Sequence, residues 1–171
     1  YEIVGPNETL DLFPAAVVTA GEVAGQDLVY NTAVGPFVAH NAGTTATRLA
    51  VDVVLPRGLY HLTNAGNLNS RTITFTAEAR QIDDTGAAIG SWFTLGAETI
   101  EAATSTPQRL SYSYTVTAGR YEVKVTRTNE KDEDTSTAND IIWAGLRAYL
   151  VSDSTFGNVT LLAVRIRATN N

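Results

Sequence analysis

Residues 106–128 read TPQRLSYSYTVTAGRYEVKVTRT. Leu110, Tyr112, Tyr114 and Val116 alternate with Ser111, Ser113, Thr115 and Thr117, and beyond Ala118-Gly119 the alternation resumes with Tyr121, Val123 and Val125 against Glu122, Lys124 and Thr126. Successive side chains of a strand point to opposite faces, so each run has one apolar face to bury and one polar face to leave in water. Glycine reaches the positive φ that tight hairpin turns use, and the pattern predicts a β-hairpin turning at Ala118-Gly119. A lone hairpin is marginal in water, so its apolar face calls for a second sheet.

The flanking sequence supplies that sheet. Leu49, Val51, Val53 and Leu55 share a face, and Ala50 and Val54 make the other face partly apolar, which predicts an interior strand ended by Pro56-Arg57-Gly58. Arg71 to Arg80 is amphipathic, with Ile73, Phe75, Ala77 and Ala79 inward, and Asp83-Asp84-Thr85-Gly86 is a turn. Trp92, Phe93 and Leu95 read as a short strand, and Ile141 to Leu150 as another, with Gly145 as a bulge or a close backbone approach. Val159 to Ala168 closes the chain with Leu162, Val164 and Ile166 on the core side, after turns at Ser152-Asp153-Ser154 and Gly157-Asn158. Residues 1–46 are the least regular part: short strands at Tyr1 to Val4, Leu10 to Val18 and Gln26 to Asn31, interrupted by prolines, with Gly35-Pro36 as a turn before Phe37. Eight to ten short strands without a helical stripe predict an all-β antiparallel sandwich, of jelly-roll or fibronectin-like type.

The chain has 171 residues, which suits a single domain over 1–171 with 1–46 as its irregular N-terminal strands or arm. It starts at Tyr1 and contains no Met, which suggests a piece of a longer polypeptide. Cysteine is absent, which excludes disulfides, thiolate metal sites and a cysteine nucleophile. A net charge of −6 opposes binding to nucleic acid phosphates, and no apolar run is long enough to suggest membrane insertion.

Residue chemistry offers few sites. His40 and His61 lie near turns without metal-ligand spacing and read as ordinary loop or strand-edge histidines. Asp83-Asp84 with Glu78 or Glu98 would make a carboxylate dyad for polysaccharide hydrolysis, but the pair reads better as a turn. The acidic stretch 129–140, NEKDEDTSTAND, offers oxygen ligands for calcium, lacks the EF-hand pattern, and reads better as an exposed, mobile connection. Tyr112, Tyr114, Tyr121, Trp92 and Trp143 would stack sugars if exposed, which motivates an alternative reading as a carbohydrate-binding module for bacterial surface glycans; their alternation favours core packing. Arg120, Arg127, Arg147, Arg165 and Arg167 are expected to pair with surface carboxylates. Asn7-Glu8-Thr9 and Asn158-Val159-Thr160 match a glycosylation sequon, which matters only in a eukaryotic secretory route. No catalytic, cofactor-binding or metal residue is therefore assigned, and no enzyme activity or cofactor is expected.

Several stretches in order resemble a known family: EIVGPNETLDLFP near the start, TTATRLAVDVVLPRGLYHL at 44–62, TFTAEARQIDD at 74–84, GRYEVKVTRTNEKD at 119–132, IIWAGLRAYL at 141–150 and NVTLLAVRIRATNN at 158–171. They are similar to the tail-tip, or host-specificity, protein J of lambda-like siphophages and prophages. The resemblance implies one internal domain of a large, homotrimeric virion protein at the distal end of the tail, made in the bacterial cytoplasm. Its implied partners are other domains and subunits of the tail tip, with a host outer-surface receptor as a further candidate. Its implied role is structural, in tail-tip assembly or host adsorption.

Overall fold

Strands dominate the computed structural model, which describes residues 1–8, 12, 16–151 and 159–166. They are β1 (Glu2–Val4), β2 (Ala16–Thr19), β3 (Gln26–Asp27), β4 (Ala33–Val38), β5 (Ala46–Leu55), β6 (Tyr60–Leu62), β7 (Leu68–Asn69), β8 (Arg71–Ile82), β9 (Phe93–Ala102), β10 (Gln108–Arg127), β11 (Thr137–Ala138), β12 (Ile142–Leu150) and β13 (Leu161–Ala163). A 3-10 turn at Gly21–Val23 is the one helical element among the described residues, and none is long and apolar enough to cross a membrane. The fold is an antiparallel β-sandwich. The strands outnumber the eight to ten expected because several are only two or three residues long.

One layer runs β2, β12, β5 and the first half of β10, with β3 also on β12; the other runs β4, the second half of β10, β8 and β9. The expected hairpin at 106–128 is therefore a single strand of 20 residues that leaves one layer and joins the other. Leu110 to Tyr114 pair with β5, and Arg120 to Arg127 pair with β8, with a register shift between Thr115 and Gly119. The more buried positions are even-numbered up to Tyr114 and odd-numbered from Gly119, with Glu122 buried as well through its pairing with Arg80, and both Thr117 and Ala118 are exposed. A slipped period of two is what a bulge produces, since an extra residue reverses which face each later side chain takes. Gly119 is not among the residues with positive φ, so no hairpin turn forms there.

The core lies between the layers. Phe37 of β4 packs on Trp143 of β12 at 5.4 Å, and the Phe75 ring of β8 meets Tyr112 of β10 edge-on at 5.3 Å. Leu49, Val51, Val53 and Leu55 are fully buried, as expected for an interior strand between β12 and β10. The Trp143 indole N–H donates to the Gly145 carbonyl at 2.9 Å, and Gly145 sits at a register shift, the predicted bulge. Asp83 forms the predicted turn: its carboxylate accepts from the N–H groups of Thr85 and Ala87 and the Thr85 hydroxyl, while Gly86 takes φ 89°.

Other expectations change. Gly35-Pro36 lies inside β4, at a shift in its pairing with β10, because proline is tolerated on an edge strand that bulges. Trp92 precedes β9, which continues unbroken to Ala102 through a register shift beside Gly96. Among the described residues at the C-terminal end, Leu161–Ala163 is strand, paired with β1, and the burial is the reverse of that predicted: Ala163 is buried while Leu162, Val164 and Ile166 are exposed. β13 pairs with β1 in a two-stranded ribbon of its own, and no other strand among the described residues joins it. The turns at 152–154 and 157–158, most of 9–15, the end of the closing strand at 167–168, and Thr9 and Asn158 of the two sequons lie outside the described residues.

Two glycines separate conformational from steric cost. Gly58 has φ 79°, and a Cβ there would sit 2.1 Å from the Thr104 carbonyl oxygen, whereas Gly66 has φ 82° and open space around it. Gly66→Ala should cost about 1–2 kcal/mol for the left-handed backbone alone. Gly58→Ala should cost at least about 2 kcal/mol more, because backbone must move. Urea unfolding of the two variants checks this, and equal midpoints would refute the close approach.

Candidate interaction surface

The outer face of the second layer is a lattice of charges under one indole. β8 and β10 place Arg80 directly opposite Glu122, and Glu78 opposite Lys124. Arg80 is ion-paired to Glu122, and Lys124 Nζ lies 3.1 Å from Glu78 Oε2. Half-buried Trp92 lies over this pair of pairs, with the Arg80 guanidinium 4.8 Å and the Lys124 ammonium 4.4 Å from its ring. Cations over an indole face are attracted by its quadrupole, so Trp92 is held down by the sheet it covers.

The outer face of the first layer has a second cluster. Arg147 of β12 donates through Nε and Nη2 to both oxygens of Asp52 on β5, at 2.7 and 2.6 Å, and the Ser111 hydroxyl of β10 donates to the same carboxylate. The Asp52 bonds raise the Arg147 pKa. Gly145 makes room: a Cβ there would come within 3.2 Å of Asp52 Oδ2. Beside it the Arg48 guanidinium stacks 3.5 Å from the Tyr149 ring centroid.

The aromatic residues weighed as sugar platforms are mostly spent inside. Trp143 and Tyr114 are buried and Tyr112 is half-buried. The Tyr114 hydroxyl donates to Glu98 at 3.0 Å, and burial together with that carboxylate raises its pKa. The carboxylates weighed as a dyad are committed separately: Asp83 to its turn, Asp84 to the Gly43 N–H, Glu78 to Lys124 and Glu98 to Tyr114.

The acidic stretch is anchored rather than a free connection. Arg127 is only 1% exposed, and its guanidinium donates to the carbonyls of Asn129, Glu130 and Asn139. Thr137–Ala138 pairs with Tyr60 and His61, and the His61 Nδ1 shares a 2.9 Å hydrogen bond with the Thr137 hydroxyl. Asp132 is 3.4 Å from Arg71, and Asp134 is 3.4 Å from His61. Asp140 takes Arg57 and Lys131; burial would raise its pKa, but those two cations outweigh it and hold the carboxyl below its ordinary range. Among the described residues no three carboxylate or imidazole groups gather as a metal site. Sequence reasoning placed Arg127 on the surface, although it continues the inward run Tyr121, Val123, Val125. That continuation was the available signal.

His40 lies at one end of the sandwich beside a cavity of about 300 Å³ bordered by β2, the 3-10 turn, the end of β4 and Arg120. It is buried; its Nδ1 is 2.6 Å from the Thr44 hydroxyl, and its Nε2 has no hydrogen-bond partner. Arg120 donates to the carbonyls of His40 and Asp83, not to a carboxylate. Burial lowers the His40 pKa, helped by the Arg120 charge, against nearby carbonyls that favour the proton.

The sequence profile of one family, described as tip attachment protein J, FNIII-A domain, matches residues 23–151, from the 3-10 turn to the end of β12. The chain belongs to that family. This agrees with the J-family resemblance of the sequence and with the sandwich. No curated protein sequence matches the chain. Three solved structures are similar in outline. One is the infectious bursal disease virus T13 particle, with 10% identity, TM-score 0.48, and 84% of this chain and 32% of that one covered. A second is the receptor-binding domain of spike protein P1 of bacteriophage PM2, with 15% identity, TM-score 0.35, and 86% and 93% covered. The third is the CBM22-1 xylan-binding domain of Paenibacillus barcinonensis Xyn10C, with 9% identity, TM-score 0.30, and 85% and 91% covered. The chain spans about a third of the length of the first of these. At these scores the likenesses carry no functional argument.

Two outcomes follow for the J-family domain. Arg127→Met should cost about 3–5 kcal/mol, since three carbonyls lose a buried cationic donor. Hydrogen exchange should quicken across 129–140; unchanged exchange there would show that Arg127 does not anchor the stretch. The folded-state pKa of His40 is depressed, so folding is favoured fully above its unfolded value of 6.5 and loses stability as pH falls through that value. Asp83, Asp134 and Asp140 are also depressed, but their contribution is lost only below 3.8. The urea midpoint should therefore fall between pH 7.5 and about pH 5 in the wild-type chain. In His40→Gln it should stay nearly level, and an equal fall in both would remove His40 as the cause.

Proposed function

We propose that this J-family domain is a structural and docking module of the phage tail tip, acting by surface contact and not by catalysis. The family match across 23–151 carries the reading, because it spans both layers of the sandwich and not a short motif. The side-chain chemistry agrees with it: the carboxylates weighed as a catalytic pair are committed separately to a turn, a backbone N–H, a lysine and a tyrosine hydroxyl. The apolar surface agrees as well. Ile3 and Leu162, opposite each other on the β1–β13 ribbon, are exposed, as are Tyr1, Val164 and Ile166 beyond its strand ends, and exposed apolar clusters mark contact sites.

In this reading the domain is one part of a longer, homotrimeric tail-tip protein in the virion, made in the bacterial cytoplasm. Its partners are neighbouring domains and subunits of the tip, and it contributes to assembly or adsorption, with a host-surface receptor as a second class of partner. Antibodies raised against the purified chain test it by immunogold microscopy of phage particles from the source lineage. Gold at the distal end of the tail is the expected result. Gold confined to the capsid, or no virion labelling by an antibody that recognises the chain in lysate, would overturn it.

A further inference from the structure

Sheet edges differ sharply in how they are guarded. An exposed edge presents a row of backbone N–H and C=O groups that will pair with any matching strand, and proteins guard edges with proline, bulges, charges or shortness. On β4 the guard is Pro36 and a register shift, and on β9 it is the register shift beside Gly96 with Glu98 and Glu101 on the strand. β2 and β3 are four and two residues long. Between Gln108 and Thr115 the first half of β10 has none of these devices but one charge. From Gln108 to Thr115 it pairs with β5 in unbroken register, and no other strand among the described residues pairs with it. It contains no proline or glycine up to Thr117 and a single charge, Arg109.

Beside the far end of this edge is an open cavity of about 460 Å³, walled by Phe93, Val116 and Tyr121 and rimmed by Ser91, Thr115 and Thr117. Phe93 is 41% exposed although its ring is 6.1 Å from that of Tyr121. An aromatic ring left half open at the end of an unguarded strand is the arrangement used when a peptide adds to a sheet: the backbone supplies affinity, and a pocket selects a side chain.

We infer that the free edge of β10, from Gln108 to Val116, is a strand-addition site for an extended segment of a partner polypeptide; beyond it the Thr117 carbonyl is already taken by the Tyr121 hydroxyl. The segment alternates apolar and hydroxyl side chains, and one of its apolar side chains enters the cavity at Phe93. Its outward side chains run beside exposed Ser111, Ser113 and Thr115, and its inward ones beside Leu110, Tyr112 and Val116. This rests on the docking role proposed above and names the place where docking occurs.

The probe is a synthetic eight-residue peptide of alternating threonine and valine with one central phenylalanine, alongside a copy N-methylated at alternate residues so that it cannot extend a ladder. With the 15N-labelled chain, the plain peptide should slow amide exchange within 108–116 by about tenfold or more, and the methylated copy should not. Phe93→Ser should weaken binding about tenfold without shifting the urea midpoint by much, since the ring is already half in water. Binding at β4 or β9 instead, equal binding of the methylated copy, or no binding at millimolar peptide would overturn the edge assignment. Tail-tip gold labelling by a chain that ignores the peptide would leave the docking role standing and remove this site alone.

Discussion

One strand belonging to two layers constrains the rest of the sandwich. The first half of β10 is fixed by β5 and the second half by β8 and β4, so both layers are joined through a covalent backbone as well as through their packed side chains. A one-residue slip would turn Leu110, Tyr112 and Tyr114 off the core face in the first half, or Tyr121, Val123 and Val125 in the second. The bulge between Thr115 and Gly119 absorbs the change of direction locally, which lets each half keep its own inward face.

Where β10 ends, the inward run closes on a cation. Arg127 occupies a position that Val or Ile would fill more cheaply, and the desolvation it suffers lowers its pKa. Backbone carbonyls from both ends of the acidic stretch converge on it, and Asp140 adds a favourable field. A hydrophobic side chain would bury as much area but could not tie 129–140 to the sandwich. The interior charge is thus explained by the loop it organises, and the loop, though strongly acidic, returns to form β11 with β6.

How much of this was legible depended on whether a signal was local. The interior strand at Leu49 to Leu55, the Asp83 turn and the Gly145 bulge each follow from a few neighbouring residues, and each was readable. The change of phase between Val116 and Tyr121 was visible too, but a turn and a bulge give the same alternation on either side. Only the partner strands separate them. Burial at the closing strand failed for a related reason: Leu162, Val164 and Ile166 look like a core face, yet burial requires an opposing layer, which no local pattern encodes. Arg127 and the Trp92 lattice depend on residues brought together across β8 and β10, so their chemistry was hidden although every residue was in plain view.

The electrostatics of the outer faces limit how such a domain can recognise anything. Arg80 and Lys124 are matched by Glu122 and Glu78, and Arg147 by Asp52, so the flat faces of the two layers are largely self-neutralised. Charges matched in this way leave little net field to steer a partner, and salt screens what remains. The net charge of −6 must then reside mainly in turns and connections, such as 129–134 and Asp83-Asp84, at the ends of the sandwich. A partner approaching either face among the described residues meets charges that are already paired. The contacts proposed above, backbone at an open edge and apolar side chains at the ribbon, are both short-ranged and demanding of shape. Such contacts suit a permanent assembly, where neighbours are built in place and association does not depend on long-range attraction.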